Sequence, residues 1–172
     1  ESMKTLLITG ASTGIGAAAA VHFAKQGQKV FAGVRQTKDA ENLKSLHSDI
    51  IPLILDVTQS EQIQQALKVI EPQVQVEMCL INNAGIAVAG PTEFVALEEY
   101  RRQFEVNFFG LVAVTQAFLP LIRKTQGRVI SVSSIAGRVA SPFLGPYSAS
   151  KFAVEAVSDS LRREVEALGV KV

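Results

Sequence analysis

The sequence predicts an α/β fold, a doubly wound parallel sheet with helices on both faces. Two observations carry that prediction: short apolar, β-branched runs alternate with longer segments of helical period, and a glycine cluster stands between the first run and the first helix. At 172 residues and 48% hydrophobic side chains, the chain can bury one substantial core, and the reading is a single domain over 3–172. Strands are predicted at 4–9, 29–34, 51–55, 78–82 and 128–133, each bounded by Gly, Asp, Asn or Ser. Helices are predicted at 14–26, 60–70, 97–124 (in one piece or two) and 147–168, and right-handed crossovers wind them onto both faces of the sheet. Gly169-Val170-Lys171-Val172 reads as a helix terminator followed by a further strand lying beside 128–133. Breaking off there would leave an apolar edge unpaired, so the chain is expected to be part of a longer protein. Glu1-Ser2, ahead of Met3, reads as an added remnant.

Composition narrows the partners. A formal net charge of +1, with no run of five or six like charges, gives no electrostatic footprint for nucleic acid. Small molecules or other protein chains are the expected partners. The single cysteine, Cys79, cannot form an intramolecular disulfide and reads as a small buried hydrophobe. No signal-like segment and no stretch of about twenty apolar residues able to span a bilayer is found, so the expectation is a cytoplasmic protein with no membrane partner. His22 and His47 stand apart from any Cys, Asp or Glu at ligand spacing, so no metal site is expected.

Thr9-Gly10-Ala11-Ser12-Thr13-Gly14-Ile15-Gly16 follows the first strand and opens the first helix, where unpaired N–H groups and the helix dipole favour an anion. Gly10, Gly14 and Gly16 would let the chain turn tightly and let a pyrophosphate approach the backbone. The spacing, Gly-x-x-x-Gly-x-Gly, differs from the more general Gly-x-Gly-x-x-Gly fingerprint. The second strand ends at Gly33-Val34-Arg35 with no acidic residue, so Arg35 favours NADP over NAD, aided by Ser12 or Thr13; NAD stays possible, and a solvated surface arginine is the alternative. Asp56-Val57, after the third strand, could meet the adenine amino group, or Asp56 could cap a helix.

Tyr147-Ser148-Ala149-Ser150-Lys151 puts a phenol and an ammonium four residues apart on one helix face. Bringing a tyrosine from its free pKa of about 10 to about 7 needs roughly 4 kcal/mol. One ammonium about 4 Å away supplies a term of that size at an effective dielectric of about 20. The same spacing recurs on solvated helices, so its meaning depends on the residues upstream.

With 9–16, Asn82-Asn83-Ala84-Gly85, Ser134, Tyr147 and Lys151 all in order, the chain resembles the short-chain dehydrogenase/reductase family from Lys4 onward. Phe152-Ala153-Val154-Glu155-Ala156-Val157-Ser158-Asp159-Ser160-Leu161-Arg162-Arg163-Glu164 is most similar to its hydroxysteroid and retinol dehydrogenase branch. The resemblance implies a Rossmann-like fold and hydride transfer between NAD(P) and a secondary alcohol or ketone. Tyr147 would exchange the proton, Lys151 would lower its pKa and hold the nicotinamide ribose, and Ser134 would bind the substrate oxygen. Ser131 and Ser133 belong to the same polar run. Asn107 would hold a water through its backbone carbonyl; without the family it reads as a helix irregularity. Asn83, Ala84 and Gly85 would line the cofactor crevice.

The family's last strands and substrate lid are missing, which leaves Pro142-Phe143-Leu144 as the local hint of an apolar substrate. A cofactor-binding scaffold without turnover and a 3-oxoacyl-carrier-protein reductase are the competing readings. The segment 104–122 is apolar almost all round, as expected of a helix buried on more than one side, and the resemblance implies that this helix and the Tyr147 helix pair copies into a homodimer or homotetramer.

Overall fold

The computed structural model describes residues 3–172, so the expectation for Glu1-Ser2 lies outside the described residues. Five parallel strands, β1 (Thr5–Ile8), β2 (Lys29–Val34), β3 (Ile50–Ile54), β4 (Met78–Asn82) and β5 (Arg128–Ser131), form one sheet in the order β3-β2-β1-β4-β5. The order reverses at β1, so the chain first winds outward to β3 and then crosses to β4. Such a reversal opens a crevice at the carboxyl ends of β1 and β4. Because successive side chains alternate across a strand, Leu6 and Ile8 pack on one face while Leu7 packs on the other.

The first face is covered by α1 (Gly14–Lys25) and α2 (Thr37–Leu46), with Ala20, Ala24 and Leu43 buried against Val30, Ala32, Cys79 and Ile81. Cys79 is the buried hydrophobe the sequence suggests, at 4% exposure. Burial, reinforced by the nearby Glu77 carboxylate, pushes its thiol up to about 11, which leaves it unreactive. The second face is covered by α3 (Ser60–Ile70), by a long helix from Leu97 to Lys124, and by α6 (Gly145–Val165). Ile63, Ile70, Val114, Phe118, Ile122 and Val165 fill the space there over Phe31, Met78, Leu80 and Val129.

The long helix is continuous but not uniform: α4 (Leu97–Phe104) passes through a π-helical turn (Glu105–Gly110) into α5 (Leu111–Lys124). At 28 residues it is long and apolar enough, by length and composition, to cross a bilayer, which corrects the expectation that no such stretch exists. Burial of Val114, Phe118, Leu121 and Ile122 against the sheet accounts for that apolar content. The irregularity anticipated at Asn107 is this π turn.

Strand boundaries differ from expectation by a few residues, as at 50–54 instead of 51–55, and α6 begins two residues before Tyr147. The helix 37–46 was not anticipated at all. After α6 a short 3-10 turn (Glu166–Leu168) ends at Gly169, whose φ of 75° is the left-handed terminator expected. Lys171 then pairs in parallel with Arg128: Val129 N–H donates to the Lys171 carbonyl at 2.8 Å and Lys171 N–H to Gly127 at 3.1 Å. A single bridge therefore stands where a further strand beside β5 was expected.

Candidate active site

The crevice at the sheet's reversal has a volume of about 600 Å³, within the range of small-molecule and cofactor sites. The loop between β1 and α1 forms one wall. Gly10 has a φ of 63°, and a Cβ there would stand 2.6 Å from the Ala84 Cα. A side chain at Gly16 would collide with the Gly10 carbonyl and the Asn83 amide. Only glycine lets this turn close onto β4. Thr13 caps α1 without a side-chain hydrogen bond, so among the described residues the first amide groups of the helix stay open toward an anion. The residues thus fit a dinucleotide: a tight turn without side chains at a helix N-terminus, beside a crevice of sufficient size.

Two residues fasten this wall. The buried Thr9 hydroxyl accepts the Asn83 and Ala84 N–H groups, each at 3.0 Å, and the Asn83 side-chain amide donates back to the Thr9 and Gly10 carbonyls at 3.2 and 2.9 Å. Asn83 therefore lines the crevice while its amide holds the glycine turn. Of the residues expected to contact a cofactor, Gly10, Ser12, Thr13, Arg35, Asp56, Val57, Asn83, Ala84 and Gly85 line the crevice. Gly14, Ile15 and Gly16, on the first turn of α1, are not among the residues that line it, and Ile15 is 68% exposed. Asp56 Oδ1 accepts the Thr58 N–H and hydroxyl at 2.9 and 2.7 Å, so it caps its own loop while facing the crevice. Of the two crevice arginines, Arg102 pairs with Glu99 at 2.6 Å, whereas Arg35 makes no ion pair among the described residues.

Tyr147 and Lys151 lie outside that lining, at the carboxyl ends of β4 and β5. They share one face of α6, with the Lys151 ammonium 5.8 Å from the centre of the Tyr147 ring. Lys151 is 6% exposed, and burial holds its ammonium below the ordinary lysine value. Its Nζ donates to the Val132 carbonyl at 2.8 Å, and Val132 N–H donates to Asn82, which joins the pair to the end of β4. Ser134 Oγ accepts the Ala136 N–H at 3.1 Å, capping a 3-10 turn (Ile135–Gly137) that packs on α6. A Cβ at Gly137 would come within 3.0 Å of the Lys151 carbonyl, so the absence of a side chain lets the Ser134 turn sit against α6. Asn107 is 1% exposed inside the π turn; its side chain engages Ile86 and donates to Ser150 Oγ at 3.1 Å, and Ser150 in turn donates to the Tyr147 carbonyl at 2.7 Å. Thr9 opens the glycine motif read in the sequence, but its role in fastening the turn was not assigned there; a polar residue ending a buried strand was the available signal.

Fold and site together define an α/β protein whose crevice fits a dinucleotide, with a tyrosine–lysine pair beside it. A family described as short chain dehydrogenase matches residues 4–172, and the chain belongs to that family. It is 42% identical over 181 residues to the mitochondrial D-beta-hydroxybutyrate dehydrogenase of Mus musculus, covering 99% of this chain and 52% of that protein. It is also 42% identical over 173 residues to retinol dehydrogenase 16 of Mus musculus, covering 98% of this chain and 54% of the relative. A solved structure, ElxO with NADP bound, superposes with a TM-score of 0.92 at 26% identity, covering 99% of this chain and 71% of the other. The chain thus spans about half the length of these curated relatives.

Proposed function

We propose that the full-length protein is an NADP-preferring oxidoreductase that interconverts an apolar secondary alcohol and its ketone. The observation that carries this is the buried Lys151 ammonium beside the Tyr147 ring, next to a glycine-walled crevice. When bound, the nicotinamide would supply or accept the hydride. Tyr147 gives a proton to the substrate oxygen during reduction and takes it back during oxidation. The Ser134 hydroxyl, which accepts from Ala136, keeps its own proton free to donate to that oxygen. Lys151 uses one N–H on Val132 and has two left for the phenol and a ribose. Asn107 holds the end of α6 in register through Ser150.

Arg35 supports NADP, because it is a crevice cation with no acidic partner among the described residues, and the structural relative has NADP bound. Gly14, Ile15 and Gly16 complete the phosphate site through their backbone. Apolar substrates are supported by the exposed Ile135, Val139 and Phe143 on the segment between Ser134 and Tyr147. We further take the protein to be cytoplasmic, with neither nucleic acid nor membrane as partner.

The test is nicotinamide absorbance followed with a panel of ketones and alcohols on the full-length protein. Tyr147→Phe should lower kcat by at least about a hundredfold while leaving NADPH binding intact. Near-normal turnover in that variant removes the proposal, and dinucleotide binding without any turnover in the wild type would favour a scaffold.

A further inference from the structure

Gln103, on the last turn of α4, is wholly shielded from solvent. A glutamine on a helix normally faces water, and complete burial requires partners for both ends of its amide. Both ends have them. Oε1 accepts the Val88 N–H at 2.7 Å, and Nε2 donates to the Ile86 carbonyl at 2.8 Å. Asn107, four residues further along the same helix, closes on the same segment: Oδ1 accepts the Ile86 N–H at 2.8 Å and Nδ2 donates to the Ile86 carbonyl at 3.0 Å. The segment 86–88 belongs to no helix or strand, so these side chains supply the backbone partners that a sheet would otherwise give. Ile86 lines the crevice, and the Asn107 amide continues through Ser150 to the carbonyl of Tyr147.

We infer that Gln103 is a positioning residue: its amide, donating and accepting at once, fixes the 86–88 wall of the crevice and thereby the fit of a dinucleotide beside the Tyr147 helix. The purpose rests on the function proposed above, but the clamp can be read without any ligand. The chemistry also gives it a distinctive signature. An ionised carboxylate at this position could accept from Val88 but could not donate to Ile86, whereas a protonated carboxyl could do both. Burial raises the pKa of such a carboxyl, so Gln103→Glu should behave as wild type in acid and as a broken clamp in base. The elements packed around it carry Glu98, Glu99, Tyr100, Arg101, Arg102 and Glu105 on its own helix and Tyr147, Lys151, Glu155, Asp159, Arg162, Arg163 and Glu164 on α6. Wild type measured in parallel accounts for them.

The experiment compares wild type, Gln103→Glu and Gln103→Leu in the full-length protein from about pH 5.5 to about pH 8.5. NADPH affinity is read by fluorescence titration, and protection of the Val88 amide by hydrogen exchange without ligand. Gln103→Glu should match wild type within about twofold at the acid end and bind about tenfold more weakly at the alkaline end, with Val88 protection falling in step. Gln103→Leu should be about tenfold weaker throughout. If Gln103→Glu follows wild type in both readouts across the range, the side chain merely fills space and the inference is overturned. Unfolding of the whole Gln103→Glu chain, seen by circular dichroism, overturns it too, because the amide would then support the fold instead of the wall. If wild type binds neither NADPH nor NADH while Val88 protection still tracks pH in Gln103→Glu, the proposed function fails and the clamp stands.

Discussion

Lys151 gives up nearly all contact with solvent yet keeps a hydrogen bond to Val132 and a place over the Tyr147 ring. Burial disfavours its charged form, so its folded pKa lies below the ordinary lysine value of the unfolded chain. Between those two values the unfolded chain holds a proton that the folded chain has lost, and stability contributed by this residue rises with pH through that alkaline window. Lys151→Met should abolish the rise and cut turnover by about a hundredfold or more. Urea midpoints collected from neutral pH into the alkaline range check the first effect, and an unchanged slope would count against it. The tyrosine–lysine face was legible in the sequence because an i, i+4 spacing is a local property. Gln103 was not: on its own turn it sits among Glu99, Arg101 and Arg102 and reads as solvated, and only its distant partners at Ile86 and Val88 show otherwise.

At the scale of elements, the amino end of the sheet is tied by Glu77, just ahead of β4. Its carboxylate meets Lys4, before β1, at 3.2 Å and Arg128, at the start of β5, at 3.0 Å. Burial alone would raise the Glu77 pKa, but hydrogen bonds from Arg128 and Lys4 outweigh it and hold the carboxyl below its usual range. The stability it contributes is therefore present above the ordinary glutamate pKa and lost as pH falls through the lowered value. Glu77→Gln should cost about 1–2 kcal/mol at neutral pH and flatten this acid dependence. Chemical denaturation at neutral and acid pH would show it, and equal losses at both would argue against the tie. Strands β1, β2 and β4 were legible because each is a largely buried apolar run between turn residues. The helix α2 was not, since it buries only Leu43 and most of its residues are polar.

At the scale of the molecule, the long helix and α6 leave Phe109 and Phe152 exposed, at 52% and 44%, although they belong to the same second face. Apolar side chains presented on adjacent helices are a surface suited to a second copy. We expect the full-length protein to be at least dimeric at micromolar concentration, with Phe109→Glu shifting it toward monomer by light scattering. A monomer in the wild type would refute that. The doubly wound sheet was legible in the alternating pattern and the right-handed crossovers, whereas the strand order and the place of its reversal come from pairings between residues distant in the chain.

Asn82 and Asn83 end β4 side by side, and alternation sends their amides in opposite directions. Among the described residues the Asn82 side-chain oxygen has no partner, but its amide donates to the Thr115 hydroxyl on α5 at 2.9 Å, while Asn83 grips the turn before α1. One dipeptide is thus a rivet through the sheet, with a helical layer fastened at each end. Neither layer can slide past the strands without pulling on a peptide unit shared with the other, so slack introduced over α5 is transmitted directly to the opposite surface.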